Sequence, residues 1–138
     1  MKLYYAEDDS DDLEFFNEAL ASVEQQLSVV NFSDGYQLME ILHGDDQLPD
    51  VIFLDINLPL KNGYECINEI KSDPKLKHLP VVIFSTSSSP DIIELMLSKG
   101  ASGYIVKPVN FNDWRGVIER ALRILSASRP GDLPFSIP

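Results

Sequence analysis

The sequence predicts an α/β fold: a doubly wound, five-stranded parallel sheet with helices on both faces. Three observations carry this. Short β-type runs alternate with helical patterns five times along the chain. The third and fourth runs, Val51–Leu54 and Val81–Phe84, are apolar without alternation, as central parallel strands covered on both sides should be. Apolar runs also end at acids, a hydroxyl and a lysine, which collects polar chemistry at one edge of the sheet.

The strands are expected at Lys2–Ala6, Leu27–Phe32, Val51–Leu54, Val81–Phe84 and Gly103–Val106. Asp9 or Ser10 can cap the first helix, whose apolar stripe is Leu13, Phe16, Leu20 and Val23. A short second helix follows Asp34-Gly35, over roughly 36–42. The third covers about 64–71 and stops before Pro74. The fourth starts near Pro90, a good first-turn residue, and ends at Gly100. The last runs over about 112–126, with Trp114, Val117, Ile118, Ala121, Leu122 and Leu125 facing inward. Right-handed crossovers and a flavodoxin-like strand order, 2-1-3-4-5, set the ends of strands one and three side by side at the switch point. Domain organisation follows: one domain over 1–126 and a tail over 127–138. The tail carries three prolines and a glycine, which forbid helix or central strand. It should be extended; the alternation of Leu133, Phe135 and Ile137 suits packing in a groove or against a neighbour, and a floppy end is the equal alternative.

At 138 residues the chain can bury one core without staples. No apolar stretch approaches the ~20 residues of a membrane helix, and the first residues lack a signal-peptide pattern. Cys66 is the sole cysteine, so no internal disulfide forms and a reducing, cytoplasmic setting fits. The net charge of −11 is uneven: residues 1–50 hold thirteen acids against Lys2, while the remainder holds nine acids against ten Lys and Arg. An acidic first third repels nucleic acid and anionic membranes, so neither is expected as a direct partner.

Asp55 ends the third strand, Glu7-Asp8-Asp9 end the first, Ser85 follows the fourth and Lys107 the fifth. Each alone has an ordinary explanation: an acid caps a helix, a serine run is a polar loop, a strand-end lysine is simply exposed. Together on one sheet edge they point to metal-assisted phosphoryl chemistry. Close carboxylates repel, and a hard divalent ion such as Mg²⁺ relieves this. Carboxylates form aspartyl-phosphate intermediates, a lysine offers a point charge to phosphate, and a hydroxyl can donate to it. The tight turn at Lys107-Pro108 is a place for a cis bond, which is expected here.

Over residues 1 to about 126 the sequence resembles the receiver domains of two-component response regulators. The resemblance rests on Ala6-Glu7-Asp8-Asp9, on Phe53-Leu54-Asp55-Ile56-Asn57-Leu58-Pro59 with Asn62-Gly63, on Leu79 to Thr86, and on Lys99 to Pro108. It implies that Asp55 is the phosphoacceptor, that Asp8 ligates Mg²⁺ directly, and that Glu7 is its acidic partner acting largely through water. Asn57 would offer its backbone carbonyl to the metal. Ser85, five residues after Pro80, matches the switch hydroxyl, with Thr86 its neighbour. Lys107 matches the phosphate-gripping lysine, and Tyr104 the aromatic that turns inward when the hydroxyl moves. Asn57 and Ser87 occupy positions where the family tunes dephosphorylation.

The resemblance further implies a stand-alone receiver: a signalling protein rather than an enzyme, though it assists its own phosphotransfer and dephosphorylation. Its donor would be a sensor histidine kinase or a histidine phosphotransfer protein, and its output a downstream protein or a homodimer. In the fourth helix Ile93, Met96 and Leu97 suit the core. That leaves Ile92 and Leu95 on another face, which is either an accidental exposed apolar pair or a partner or dimer surface near Tyr104 and the last helix, where receivers resembling this one change on activation. Two other classes are open. A phosphorylation-independent adaptor would keep the fold and bind constitutively. A haloacid-dehalogenase-like phosphatase would want a second Asp two residues after the nucleophile, where this chain has Asn57, and room for a cap domain.

Overall fold

The computed structural model describes residues 1–23, 26–44, 46–129 and 131–138. Strands β1 (Lys2–Ala6), β2 (Ser28–Phe32), β3 (Val51–Leu54), β4 (Val81–Ser85) and β5 (Gly103–Val106) alternate with helices α1 (Ser10–Ala21), α2 (Gly35–Gly44), α3 (Gly63–Ser72), α4 (Pro90–Ser98) and α5 (Trp114–Ala127). All neighbouring strands are parallel.

The pleat sends alternate side chains to opposite faces, and this builds two cores. Tyr4, Ile52, Leu54, Ile83 and Tyr104 meet α2, α3 and α4 on one side. Leu3, Tyr5, Phe53, Phe84 and Ile105 meet α1 and α5 on the other. The second core is aromatic at the site end: Tyr5 stacks on Phe16 with centroids 3.9 Å apart, and Phe84 meets Trp114 edge-on at 4.9 Å.

Helix α1 is capped by Asp9, whose side chain accepts from the N–H groups of Asp11 and Asp12. The helix ends at Ala21, so Val23 falls beyond it, while Phe16, Ala19 and Leu20 are the buried residues. In α4, Met96 is buried and Ile92, Ile93 and Leu97 all pack on the core. The expected exposure of Ile92 is therefore corrected: it is partly buried because it packs against the core, and Leu95 alone of that pair is exposed.

The sheet has six strands, not five, in the order β2-β1-β3-β4-β5-β6. The additional β6 (Phe135–Ile137) comes from the tail and pairs parallel with β5, Phe135 opposite Gly103 and Ile137 opposite Ile105. Proline excludes a central strand but not this edge position, because Pro134 and Pro138 flank three residues that keep their N–H groups. Gly103 makes the contact feasible: a Cβ there would lie 2.2 Å from the Phe135 ring. Of the alternating tail residues, Ile137 is buried, Phe135 half-buried and Leu133 exposed; Pro130 lies outside the described residues. Among the described residues no peptide bond is cis, so Lys107-Pro108 is trans. The chain turns away through a short 3-10 segment at Phe111–Asp113, and the Trp114 indole N–H, 3.0 Å from the Pro108 carbonyl, ties that turn down. No described helix is long and apolar enough to cross a membrane.

Candidate functional site

Backbone bonds just past the strand ends set the site. The Glu7 N–H donates to Phe32 O (2.9 Å), the Asp55 N–H to Ala6 O (3.1 Å) and the Lys107 N–H to Ser85 O (2.7 Å). The polar residues that follow β1, β3 and β5 are thereby held in the sheet's own register. Behind Asp55 the start of α3 comes so close that a Cβ on Gly63 would lie 2.5 Å from the Asp55 carbonyl oxygen. Glycine is thus needed to let the helix abut the strand end. Asn62 caps α3 in a box with Glu65.

Asp55 is 6% exposed. Its Oδ1 accepts from the Ile56 N–H at 2.8 Å, and its Oδ2 lies 3.7 Å from Lys107 Nζ. Lys107 Nζ makes a short ion pair with Glu7 Oε1 and donates to Asp12 Oδ2 at 2.7 Å. The Phe84 ring lies under the same amine, 5.9 Å away. Glu7 Oε2 accepts from the N–H groups of Asp8 (3.1 Å) and Asp9 (3.3 Å), and the Tyr5 hydroxyl donates to Oε1 at 3.3 Å.

Burial pushes the Glu7 carboxyl up to about 8, against the pull of its Lys107 hydrogen bond, and the nearby Asp55 charge pushes the same way as burial. Burial pulls the Lys107 amine down, but bonds to Asp12 and Glu7 outweigh it and raise its pKa. Burial likewise raises the Tyr104 phenol.

One carboxylate oxygen from each of Glu7, Asp8 and Asp55 lies within 4.8 Å of the others. An all-oxygen donor set with crowded negative charge suits a hard divalent cation. Asn57 lies two residues past Asp55 with its side chain exposed. Ser85 is buried and its Oγ accepts from the Ser87 N–H at 3.2 Å, whereas Thr86 is exposed. Tyr104 is fully buried, and its hydroxyl donates to the Ser87 carbonyl at 2.8 Å. In this arrangement Tyr104 is core, not outer surface, which corrects its expected place beside Leu95 on a partner face. Tyr104 and Ile105 point to opposite sides of the sheet, and both sides are covered, so each is buried in one of the two cores.

Asp12 is the residue that sequence reasoning missed. It reads as one of several solvated acids around the helix cap. The available signal is its position in the first turn of α1, where helical side chains lean back toward the N-terminus and so toward the strand end.

The chain belongs to the response regulator receiver family: the model of the response regulator receiver domain matches residues 4–119. Solved structures similar to it include the phosphorylated cyanobacterial phytochrome response regulator RcpA, 34% identical with a TM-score of 0.85, covering 94% of this chain and 98% of that one. The Mn(2+)-bound form of response regulator Rcp1 is 27% identical with a TM-score of 0.80, covering 96% of this chain and 98% of that one. Among curated proteins, the probable methanogenesis regulatory protein FilR2 of Methanothrix harundinacea (strain 6Ac) is 34% identical over 76 residues, 55% of this chain and 49% of that protein. The chain thus spans about half that relative's length.

Proposed function

We propose that this receiver is a phosphorylation-dependent switch, with Asp55 as its phosphoacceptor and a histidine kinase or histidine phosphotransfer protein as its donor. The observation that carries this is the grouping of a buried Asp55 with Glu7, Asp8 and Lys107 at one sheet edge. An Asp55 carboxylate oxygen attacks phosphorus, the O–P bond forms, and the P–N bond of the phosphohistidine breaks with its electron pair left on the imidazole. Glu7, Asp8, Asp55 and the Asn57 backbone carbonyl would hold Mg²⁺, which supplies neutralising charge to the phosphoryl oxygens when bound. Lys107, whose amine lies 3.7 Å from Asp55 Oδ2, would add a second positive charge to the phosphoryl oxygens. The Ser85 hydroxyl, whose oxygen accepts from the Ser87 N–H, turns its own hydrogen toward the phosphoryl group, and the loop that also holds the Tyr104 hydroxyl moves with it. Leu95 and the rest of the α4, β5 and α5 face then present a changed surface to a downstream protein or a second copy. The setting is cytoplasmic.

The test is incubation with acetyl phosphate or beryllofluoride, with and without Mg²⁺, read by intact mass and by Trp114 fluorescence. One phosphoryl group should add with Mg²⁺ and none to Asp55→Asn. Addition to Asp55→Asn, or no response by the unaltered chain, would reject Asp55 as acceptor.

A further inference from the structure

Among the described residues, Asp12 is the one carboxylate on Lys107 with no part in the proposed chemistry. Its Oδ2 is 2.7 Å from Lys107 Nζ, while Asp55 Oδ2 stands at 3.7 Å, outside hydrogen-bond distance. It lies outside the close group formed by Glu7, Asp8 and Asp55. An ammonium has three hydrogens to give, and here Glu7 and Asp12 each take one. The Asp12 side chain is 22% exposed against 4% for Lys107. A cavity of about 310 Å³ opens beside the pair, lined by Asp12, Phe15, Lys107, Pro108 and Trp114 among others. The partly exposed carboxylate therefore has room to withdraw without disturbing the core, whereas the Lys107 side chain is almost fully buried.

We infer that Asp12 is a restraining residue for the switch: its carboxylate competes with the anion on Asp55 for the Lys107 amine. This rests on Asp55 being the phosphoacceptor. A contact made more strongly in one state biases the equilibrium toward that state. The Lys107–Asp12 bond is full strength when Asp55 is bare, and it weakens when phosphoryl oxygens share the amine. Asp12 thereby raises the threshold for occupancy of Asp55. It acts through Lys107 and never touches the phosphoryl group, so it is a positioning residue.

The test is a beryllofluoride titration of the full chain at saturating Mg²⁺, read by Trp114 fluorescence, for the unaltered protein, Asp12→Asn and Asp11→Asn. Asp11 is a charge-matched control: it is exposed, and Lys107 is paired with Glu7, Asp12 and Asp55 instead. Asp12→Asn should respond at about two- to fivefold lower beryllofluoride, the upper part of the range expected for loss of a partly exposed ion pair. Asp11→Asn should not shift, and Mg²⁺ alone should bind Asp12→Asn within about twofold of the unaltered chain. Asp12→Ala, checked by its melting curve, should shift in the same direction as Asp12→Asn. An equal gain in Asp11→Asn would reduce the effect to overall charge and overturn the inference. An unchanged or weaker response of both Asp12 variants would overturn it too, because the carboxylate would then be idle or would be presenting Lys107 to the anion. An unaltered chain that ignores beryllofluoride would overturn the receiver chemistry, and this inference with it.

Discussion

At the scale of single residues, strain and burial make two claims that chemistry can check. Leu60, in the turn after Asp55, has φ 65°, in the left-handed region, and is 82% exposed. A leucine pays a steric penalty there that Asn largely avoids. Leu60→Asn should therefore raise stability by about 0.5–1 kcal/mol in urea unfolding; no gain would mean that the turn itself, not the side chain, sets the cost. Cys66 is buried on α3 between α2 and the sheet, and burial pushes its thiol up from 9.0 to about 12. A raised pKa favours the neutral thiol in the folded chain, so its contribution to stability is complete below pH 9 and is lost as pH rises toward about 12. Native protein at pH 8 should react with iodoacetamide far more slowly than the same protein in urea. Equal rates would show the thiol to be accessible.

At the scale of elements, the instructive strand is β6. Its three residues bring one deeply buried side chain, Ile137, into the core shared by α1 and α5. It is tied by the Phe135 N–H to the Ser102 carbonyl at 3.1 Å. Ile137→Asp should release β6 and leave the other five strands intact, since a charge cannot stay in that core unpaired. Hydrogen exchange should accelerate at Phe135 and Ile137 while β1, β3 and β4 keep their protection. Collapse of protection throughout the sheet would show that β6 is integral to the fold. The other strands were legible from sequence because each is a short stretch rich in apolar, aromatic or β-branched residues with helical patterns between them; Lys2–Ala6, Val51–Leu54 and Gly103–Val106 have the bounds expected. Strand β6 was not, because its partner Gly103 lies far away in sequence and its own proline-rich surroundings read as coil.

At the scale of the whole molecule, Leu95 stands 43% exposed on α4 and is not among the residues of the proposed phosphoryl site. If that face is the output surface, Leu95→Glu should weaken partner or dimer binding and leave acetyl phosphate labelling unchanged. Equal loss of both would make the position structural. The candidate site was legible as residue types: Glu7, Asp8, Asp55, Ser85 and Lys107 all follow or end β-type runs, and a parallel sheet necessarily brings such ends to one edge.

Sequence alone determined the strand–helix alternation, the acidic and basic groups at the strand ends and the family. Hydrophobic periodicity and local turn chemistry are written along the chain and need no distant partner. Tertiary structure decided the rest. It placed Asp12 rather than Asp55 within hydrogen-bond distance of Lys107, buried Tyr104 beneath its loop, tucked Ile92 against the core and added the tail to the sheet. Each of these depends on how one element leans on another, a matter of one or two ångströms between side chains far apart in sequence. Such distances are set only when two separate cores have closed on the sheet.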